Sequence, residues 1–343
     1  DFDGFLDKNN FGVIDTVFDY SLVGNDPNKP RYNNGIRQYQ FGHFYINQVN
    51  NKNFYSGSQQ VFAAYSMGIF NITQKFKFIG GVRYETTNMS VISKNIDSLI
   101  VKLRDPVTDE IIEADTLYTQ GKINIADILP SVNLVYDLTE KSKIRIAYAK
   151  TIARPNLREL APFEQLDTKN GFFVMGNPQL KRTIIQNFDL RYEFYPNAGD
   201  IVAISAYYKD FNDPIVRAFN PTATIPELKF VNVDKAQVIG FEFEIRKKLD
   251  FISEKVKNFT LASNFTLIKS ETDIPPLEIE SSKFIDPTYN QTKRPFVGQS
   301  PYIINAMLMY NNQKIGHEST LSFNVAGAKL YNIALYATPD VYE

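Results

Sequence analysis

Apolar and polar residues alternate along much of this chain with a period of two. From Asn187 to Phe194, the residues Phe188, Leu190, Tyr192 and Phe194 fall on one side, and Asn187, Asp189, Arg191 and Glu193 on the other. A strand points successive side chains to opposite faces, whereas a helical turn would scatter both sets. From Val238 to Lys248 the split recurs, with Ile239, Phe241, Phe243 and Ile245 opposed to Gly240, Glu242, Glu244, Arg246 and Lys248. Looser alternation runs through Lys143 to Ile152, Phe259 to Ile268 and His317 to Val325. With the less regular stretches, the chain offers ten or eleven strand candidates.

The connections between these strands are of two kinds. Short ones carry turn chemistry at Asn71–Gln74, Leu138–Ser142, Pro196–Gly199 and Asn311–Gly316. Long polar ones lie between them, at about Asn88–Ala126, Arg154–Arg182, Asn212–Lys229 and Glu271–Gly298. Short and long ends therefore segregate to opposite edges of the sheet, which is the asymmetry of an outer-membrane barrel with brief periplasmic turns and long extracellular loops. Phe70, Phe76, Tyr136, Phe194, Tyr195 and Tyr310 bracket the short turns, where aromatic residues form an interfacial girdle. Period two alone leaves open a large soluble antiparallel protein with an aromatic core, because a solvated face and a lumen face have the same pattern.

Composition narrows the choice. The 343 residues include 20 Tyr and 27 Phe but no Trp and no Cys, with 37 basic against 38 acidic side chains. The aromatic excess favours strands. Cancelled charge removes the electrostatic footprint of a nucleic-acid binder. Absent cysteine excludes disulfides, thiol chemistry and cysteine-ligated metals. No run of 18 apolar residues offers a transmembrane helix. The chain opens Asp1-Phe-Asp-Gly-Phe5, with neither an initiator Met nor a leader, and reads as the start of a fragment or a processed chain.

Catalytic candidates are sparse. His43 and His317 are the two histidines and fall in different hairpins, too little for a triad or a histidine metal site. Gly80-Gly81 sits inside a strand pattern, where a bend or close packing is expected rather than phosphate binding. Along a strand, Glu242 and Glu244 stand about 7 Å apart, and Asp189 and Glu193 about 13 Å. Their neighbours Arg191 and Arg246 point to cross-strand ion pairing on a lumen wall rather than acid–base work. The expected lumen-facing residues are Asn187, Asp189, Arg191, Glu193, Glu242, Glu244 and Arg246. No catalytic residue, metal site or cofactor is expected.

Several segments resemble the C-terminal barrel of TonB-dependent receptors of the Bacteroidetes type. They are Gly80-Gly-Val-Arg-Tyr-Glu85, Ala147-Tyr-Ala-Lys-Thr-Ile-Ala-Arg-Pro-Asn-Leu-Arg-Glu-Leu160, Gly176-Asn-Pro-Gln-Leu180, Tyr207-Tyr-Lys-Asp-Phe-Asn-Asp-Pro-Ile215, Val238-Ile-Gly-Phe-Glu-Phe-Glu244 and Arg294-Pro-Phe-Val-Gly-Gln-Ser-Pro-Tyr302. Each motif is loose; their order along the chain is the more specific sign, and the resemblance runs from about Gln59 to the end.

The resemblance implies an all-β antiparallel transmembrane barrel of about 22 strands, of which residues 1–343 supply roughly half, without the N-terminal plug or the final strands. It implies energy-coupled uptake of a scarce nutrient (siderophore, glycan or peptide) through the bacterial outer membrane. The implied partners are outer-membrane lipid, a periplasmic TonB-type coupling protein acting through the plug segment, and a surface-exposed lipoprotein; nucleic acid is not among them. Two other classes stand beside this one: a barrel that scaffolds surface lipoproteins or serves secretion, and a soluble β-sandwich binding module.

Overall fold

The computed structural model describes residues 32–33, 36–37, 55–93, 100–104, 111–116, 120–168, 172–220, 227–333 and 340–343. The chain divides into two compact units, 1–53 and 54–343. In the first, β1 (Tyr32–Asn33) and β2 (Ile36–Arg37) pair as a small antiparallel hairpin.

The second unit is built around one sheet. It begins with β3 (Tyr55–Asn71) and β4 (Phe76–Ser93); a separate hairpin of β5 (Ile100–Arg104) and β6 (Ile111–Thr116) follows. The sheet resumes with β7 (Gln120–Thr139) and β8 (Ser142–Ala153). The next connection holds the one-turn helix α1 (Leu157–Leu160) and the strands β9 (Glu164–Asp167) and β10 (Phe172–Met175). After β11 (Thr183–Phe194) and β12 (Ile201–Asn212), the strands β13 (Ile215–Asn220) and β14 (Glu227–Asn232) leave the sheet. It continues with β15 (Lys235–Lys248) and β16 (Phe259–Asp273). Helix α2 (Pro276–Ile285) and β17 (Lys293–Arg294), which pairs with β16, come before β18 (Tyr302–Asn312) and β19 (His317–Ala326). A short pair, β20 (Leu330–Asn332) with β21 (Val341–Tyr342), ends the chain.

The main strands pair antiparallel in the order β3-β4-β7-β8-β11-β12-β15-β16-β18-β19. Each sits beside its neighbour in sequence, so short turns can join one end of every pair. Among the described residues the sheet is open, with β3 and β19 as its edges.

Local chemistry makes the short end. The Thr73 hydroxyl accepts from the amides of Lys75 and Phe76 at 3.2 and 3.0 Å. Gly199 and Gly316 supply the left-handed backbone, at φ 85° and 65°, that the third and last turns require. Asp200 accepts from the Lys247 ammonium at 2.6 Å and the Lys248 amide at 3.0 Å, tying the β11–β12 turn to the end of β15. Residues 249–258, with two 3-10 turns, form a further connection at this end that the alternation did not signal.

The long end departs from expectation. β4 runs to Ser93 and β7 starts at Gln120, so the first long connection is shorter than the expected 88–126. Thr87, Met89, Val91 and Ser93 keep the alternation and are buried, but their mixed chemistry hid it. The connection after β8 folds over this extension: Leu160, Ala161 and Leu180 pack with Met89, Val91 and Ile123 as the buried apolar cluster. Burial stabilises by about 1.5–3 kcal/mol per large apolar side chain, so this loop carries a core of its own. β13, β14, β10 and β9 complete it as a four-stranded sheet in which β10 and β14 run parallel.

The sheet's two faces differ. Phe62, Leu190, Ile239 and Phe323 are 68%, 51%, 56% and 61% exposed on the apolar side, where a soluble protein would put its core. On the edge strand β3, exposed Tyr65, Met67 and Ile69 occupy the other face as well.

Candidate functional site

The polar face carries a continuous transverse row. In register across eight strands stand Asp137, Lys143, Glu193, Ala203, Glu244, Asn264, Asn305 and Asn324. Lys143 reaches Asp137 at 3.3 Å. Glu193, 6% exposed, accepts from Arg145 Nε at 3.0 Å, Arg191 Nε at 2.9 Å and the Tyr195 hydroxyl at 3.0 Å. The small Ala203 and Ser205 on β12 let Arg191 cross that strand: its Nη1 donates to Ser205 at 2.9 Å and its Nη2 to Glu244 at 2.7 Å. Asn305 then donates to Asn264 at 2.6 Å, and Asn324 donates to Asn305. Two arginines and two glutamates cancel, so the row is neutral and cross-linked by charge-assisted hydrogen bonds.

The expected site residues divide in two. Asn187, Arg191, Glu193 and Glu244 are hydrogen-bonded, Asn187 donating to the Ala149 carbonyl and to Thr151 on β8. Asp189, Glu242 and Arg246 make no ion pair among the described residues, so the expected pairing of Arg246 across strands is not met. Tyr207 lies flat on Gly240, where a Cβ would come within 2.1 Å of its ring. Tyr195 turns to Glu193 rather than joining the girdle, while Phe70, Tyr136 and Phe194 are exposed as expected. His317 contacts Ser319 at 2.8 Å near a short turn; His43 lies outside the described residues. The described residues hold no group of three His, Cys, Asp or Glu arranged for a metal ion.

At the long end the conspicuous motifs act as clamps. Arg154 bonds Thr87 at 2.8 Å and pairs with Glu85; Arg182 grips Asp127 through Nε at 2.7 and 2.8 Å. Burial, with Arg83 nearby, lowers the Arg154 pKa from its ordinary value. Asn156 caps α1 and Glu159 reciprocates in a capping box. Arg158 donates to the carbonyls of Phe163 and Val174 at 3.1 and 2.8 Å, and burial lowers its pKa. Gly176 passes so close to Ala161 that a Cβ would lie 1.9 Å from its carbonyl oxygen. Asn177 donates to the Phe230 carbonyl at 3.0 Å, joining the second long connection to the third.

Between these connections lies a cavity of about 350 Å³, lined from β8, β12, β13, β16 and the segment around β17. Beside it, Arg294 pairs with Glu278 of α2, and burial raises the Glu278 pKa despite that partner. The asparagine ladder and this cavity were not signalled in the sequence: Asn264, Asn305 and Asn324 look like ordinary polar positions until register aligns them.

A family described as TonB dependent receptor-like, beta-barrel matches residues 1–338. The chain belongs to this TonB-dependent receptor family. No curated protein sequence matches it. Among solved structures, the barrel is similar to the ferric yersiniabactin uptake receptor FyuA from Yersinia pestis, at 16% identity and a TM-score of 0.51 over 81% of this chain and 36% of that one. The siderophore receptor PiuA from Acinetobacter baumannii matches at 12% identity and a TM-score of 0.50, over 75% and 32%. The siderophore receptor PirA from Pseudomonas aeruginosa covers 80% of this chain and 49% of its own, at 15% identity and a TM-score of 0.49. The chain spans about a third to a half of the length of these proteins. At such identities the likeness concerns the fold: an all-β antiparallel TonB-dependent receptor barrel. The family and these neighbours are receptors and transporters, not enzymes.

Proposed function

We propose that this barrel belongs to an outer-membrane receptor that takes up a scarce nutrient using energy delivered by a periplasmic TonB-type protein. The supporting observation is the two-faced sheet: an apolar face left exposed and a polar face cross-linked by its own charges. In a bilayer the first contacts lipid and the second lines a lumen. On this reading Asn187, Asp189, Arg191, Glu193, Glu242, Glu244 and Arg246 face the lumen. Asp189, Glu242 and Arg246, unpaired within the sheet, meet the plug through polar contacts that can rearrange when it is pulled.

The sheet's two free edges support a larger barrel, of about 22 strands, with further strands pairing on β3 and β19. The motifs from Ala147 to Leu160 and from Gly176 to Leu180 support a receptor of the Bacteroidetes type. The likeness to the ferric yersiniabactin uptake receptor and to the siderophore receptor PiuA favours a siderophore among the nutrient classes. Solute depletion from the medium tests uptake directly. Cells carrying the receptor should remove a solute that cells lacking it leave behind, and collapsing the proton gradient should abolish the difference. Identical depletion in all three would refute the proposal.

A second reading, a barrel that holds a surface lipoprotein, draws on α2, where Leu277 and Phe284 are 51% and 91% exposed. Co-purification of a lipoprotein that Phe284→Ser abolishes would support it, and unchanged recovery would count against it.

A further inference from the structure

Three of the five short connections repeat one tetrapeptide: Ile72-Thr-Gln-Lys75 between β3 and β4, Leu138-Thr-Glu-Lys141 between β7 and β8, and Ile252-Ser-Glu-Lys255 between β15 and β16. The backbone repeats with it. In each, the hydroxyl of the second residue accepts from the lysine amide at 3.2 Å. The first residue and the lysine are exposed in all three. The connection between β18 and β19 carries the pair in reverse order, Lys314-Ile315, again with both exposed. Beside Ile252, Phe251 is 66% exposed, with the Lys247 ammonium 5.3 Å over its ring. Turn chemistry accounts for the Thr or Ser of the repeat, but a turn in water gains nothing from an exposed Ile or Leu next to a lysine.

Charge is also concentrated at this end. Residues 71–77, 137–143, 195–201, 246–258 and 311–318 hold ten basic against six acidic side chains and leave 27 against 32 for the rest of the chain. Three of the six acids are matched within the end: Asp137 by Lys143, Asp200 by Lys247 and Glu254 by Lys257. Of the charges left over, Lys77, Arg246, Lys248 and Glu318 stand on the polar face in register. Lys75, Lys141, Lys255 and Lys314 remain at the turns, against Glu140 and Asp250. The Lys141 ammonium donates to the Pro196 carbonyl at 2.7 Å, which leaves its charge uncompensated. The ammonium groups of Lys75, Lys255 and Lys314 make no hydrogen bond or ion pair among the described residues.

We propose that the short turns anchor the barrel to anionic phospholipid, the apolar residue of each repeat entering the acyl boundary and its lysine holding a lipid phosphodiester. A side chain with an apolar stem and a charged head is suited to that boundary, and so is an apolar residue beside it. The excess of ammonium groups selects a head group that has a phosphate but no amine of its own. Exposed Phe70 and Ile72, and exposed Tyr136 and Leu138, lie two residues apart, so the anchors continue the apolar face to its end. The inference rests on the membrane-receptor reading and names the lipid that the short end takes.

Local quenching tests it. The full-length receptor is reconstituted in phosphatidylcholine bilayers with a fluorophore at Gln74→Cys, Gln313→Cys or Leu190→Cys, and tracer phosphatidylglycerol or phosphatidylcholine carries a nitroxide high on its acyl chain. At 74 and 313, phosphatidylglycerol should quench with about fivefold higher apparent affinity than phosphatidylcholine, since each lysine near an anionic surface contributes about one such factor. At 190 the two lipids should quench alike. Lys75→Gln should remove the preference at 74 and leave it at 313, and salt at about 1 M should weaken it at both. Ile72→Ser should weaken quenching at 74 by either lipid. Equal quenching by the two lipids at 74 and 313, or a preference at 74 that survives Lys75→Gln, would overturn the inference. Quenching at 190 but not at 74 or 313 would overturn it while leaving the receptor reading intact, whereas no quenching at any of the three would sink both. A Lys75→Gln, Lys141→Gln, Lys255→Gln receptor that keeps its lipid preference but loses gradient-dependent uptake would assign the turns to a periplasmic protein instead.

Discussion

Gly176 and Phe241 illustrate two ways a single residue is fixed. At Gly176 the constraint is space: the nearest atoms to an added Cβ are backbone, the Ala161 carbonyl oxygen at 1.9 Å and the Arg158 carbonyl oxygen at 2.8 Å, so neither can rotate away. Gly176→Ala should therefore cost about 1–3 kcal/mol or more and open the connection between β8 and β11. Limited proteolysis should cut within 154–182 while the barrel itself stays folded. At Phe241 the constraint is the medium. The ring is 41% exposed in the middle of a strand, and a charge on the lipid face of a barrel costs about 2–4 kcal/mol at the bilayer centre. Phe241→Lys should block assembly into outer membranes, whereas Glu242→Lys, on the other face, should assemble normally; membrane fractionation measures both. The Gly-Asn-Pro and Ala-Arg-Pro motifs stand out in the sequence, but what they do does not, because Arg154 finds Thr87 across 67 positions of chain.

At the scale of elements, short turns were legible and long connections were not. A turn is decided by its own few residues. Asp200, however, accepts from residues 47 and 48 positions away, and its clamp has a pH signature. Burial alone would raise its pKa, but the Lys247 ammonium, the Lys248 amide and the Asn197 side chain outweigh burial and hold the carboxyl below its ordinary range. A depressed folded pKa contributes stability that is present above the unfolded value of about 3.9 and is lost as pH falls through the folded one. Amides of the β11–β12 turn should thus exchange faster below about pH 4, and Asp200→Asn should remove that dependence. The long connections read as polar because α1, β9, β10, β13 and β14 are brief and, among the described residues, bury at most one side chain each. Their apolar cluster exists only when Leu160 and Leu180 meet Met89 and Val91 of β4 and Ile123 of β7. Asn156→Ala, which breaks the capping box of α1, should cost about 1 kcal/mol and raise protease sensitivity there without affecting the main sheet.

For the whole molecule, period two was enough to predict antiparallel, two-faced strands and the segregation of short and long ends, because both depend on local pattern. It was not enough for the transverse row, since Glu193, Glu244, Asn264, Asn305 and Asn324 become one feature only through register across five strand pairings. The edge strand β3 also breaks the pattern, because Val61, Tyr65, Met67 and Ile69 place exposed apolar side chains on the face that is polar elsewhere in the sheet. The central claim is that the aromatic and aliphatic face meets lipid and the charged face does not. The chain has no cysteine, so spin labels can be placed singly at Phe188→Cys, Leu190→Cys and Phe241→Cys, and at Asp189→Cys and Glu242→Cys. In outer membranes, relaxation by oxygen dissolved in the bilayer should dominate at the first three and relaxation by a water-soluble nickel chelate at the last two. Preferential oxygen access at 189 and 242, or equal access at all five, would contradict the account.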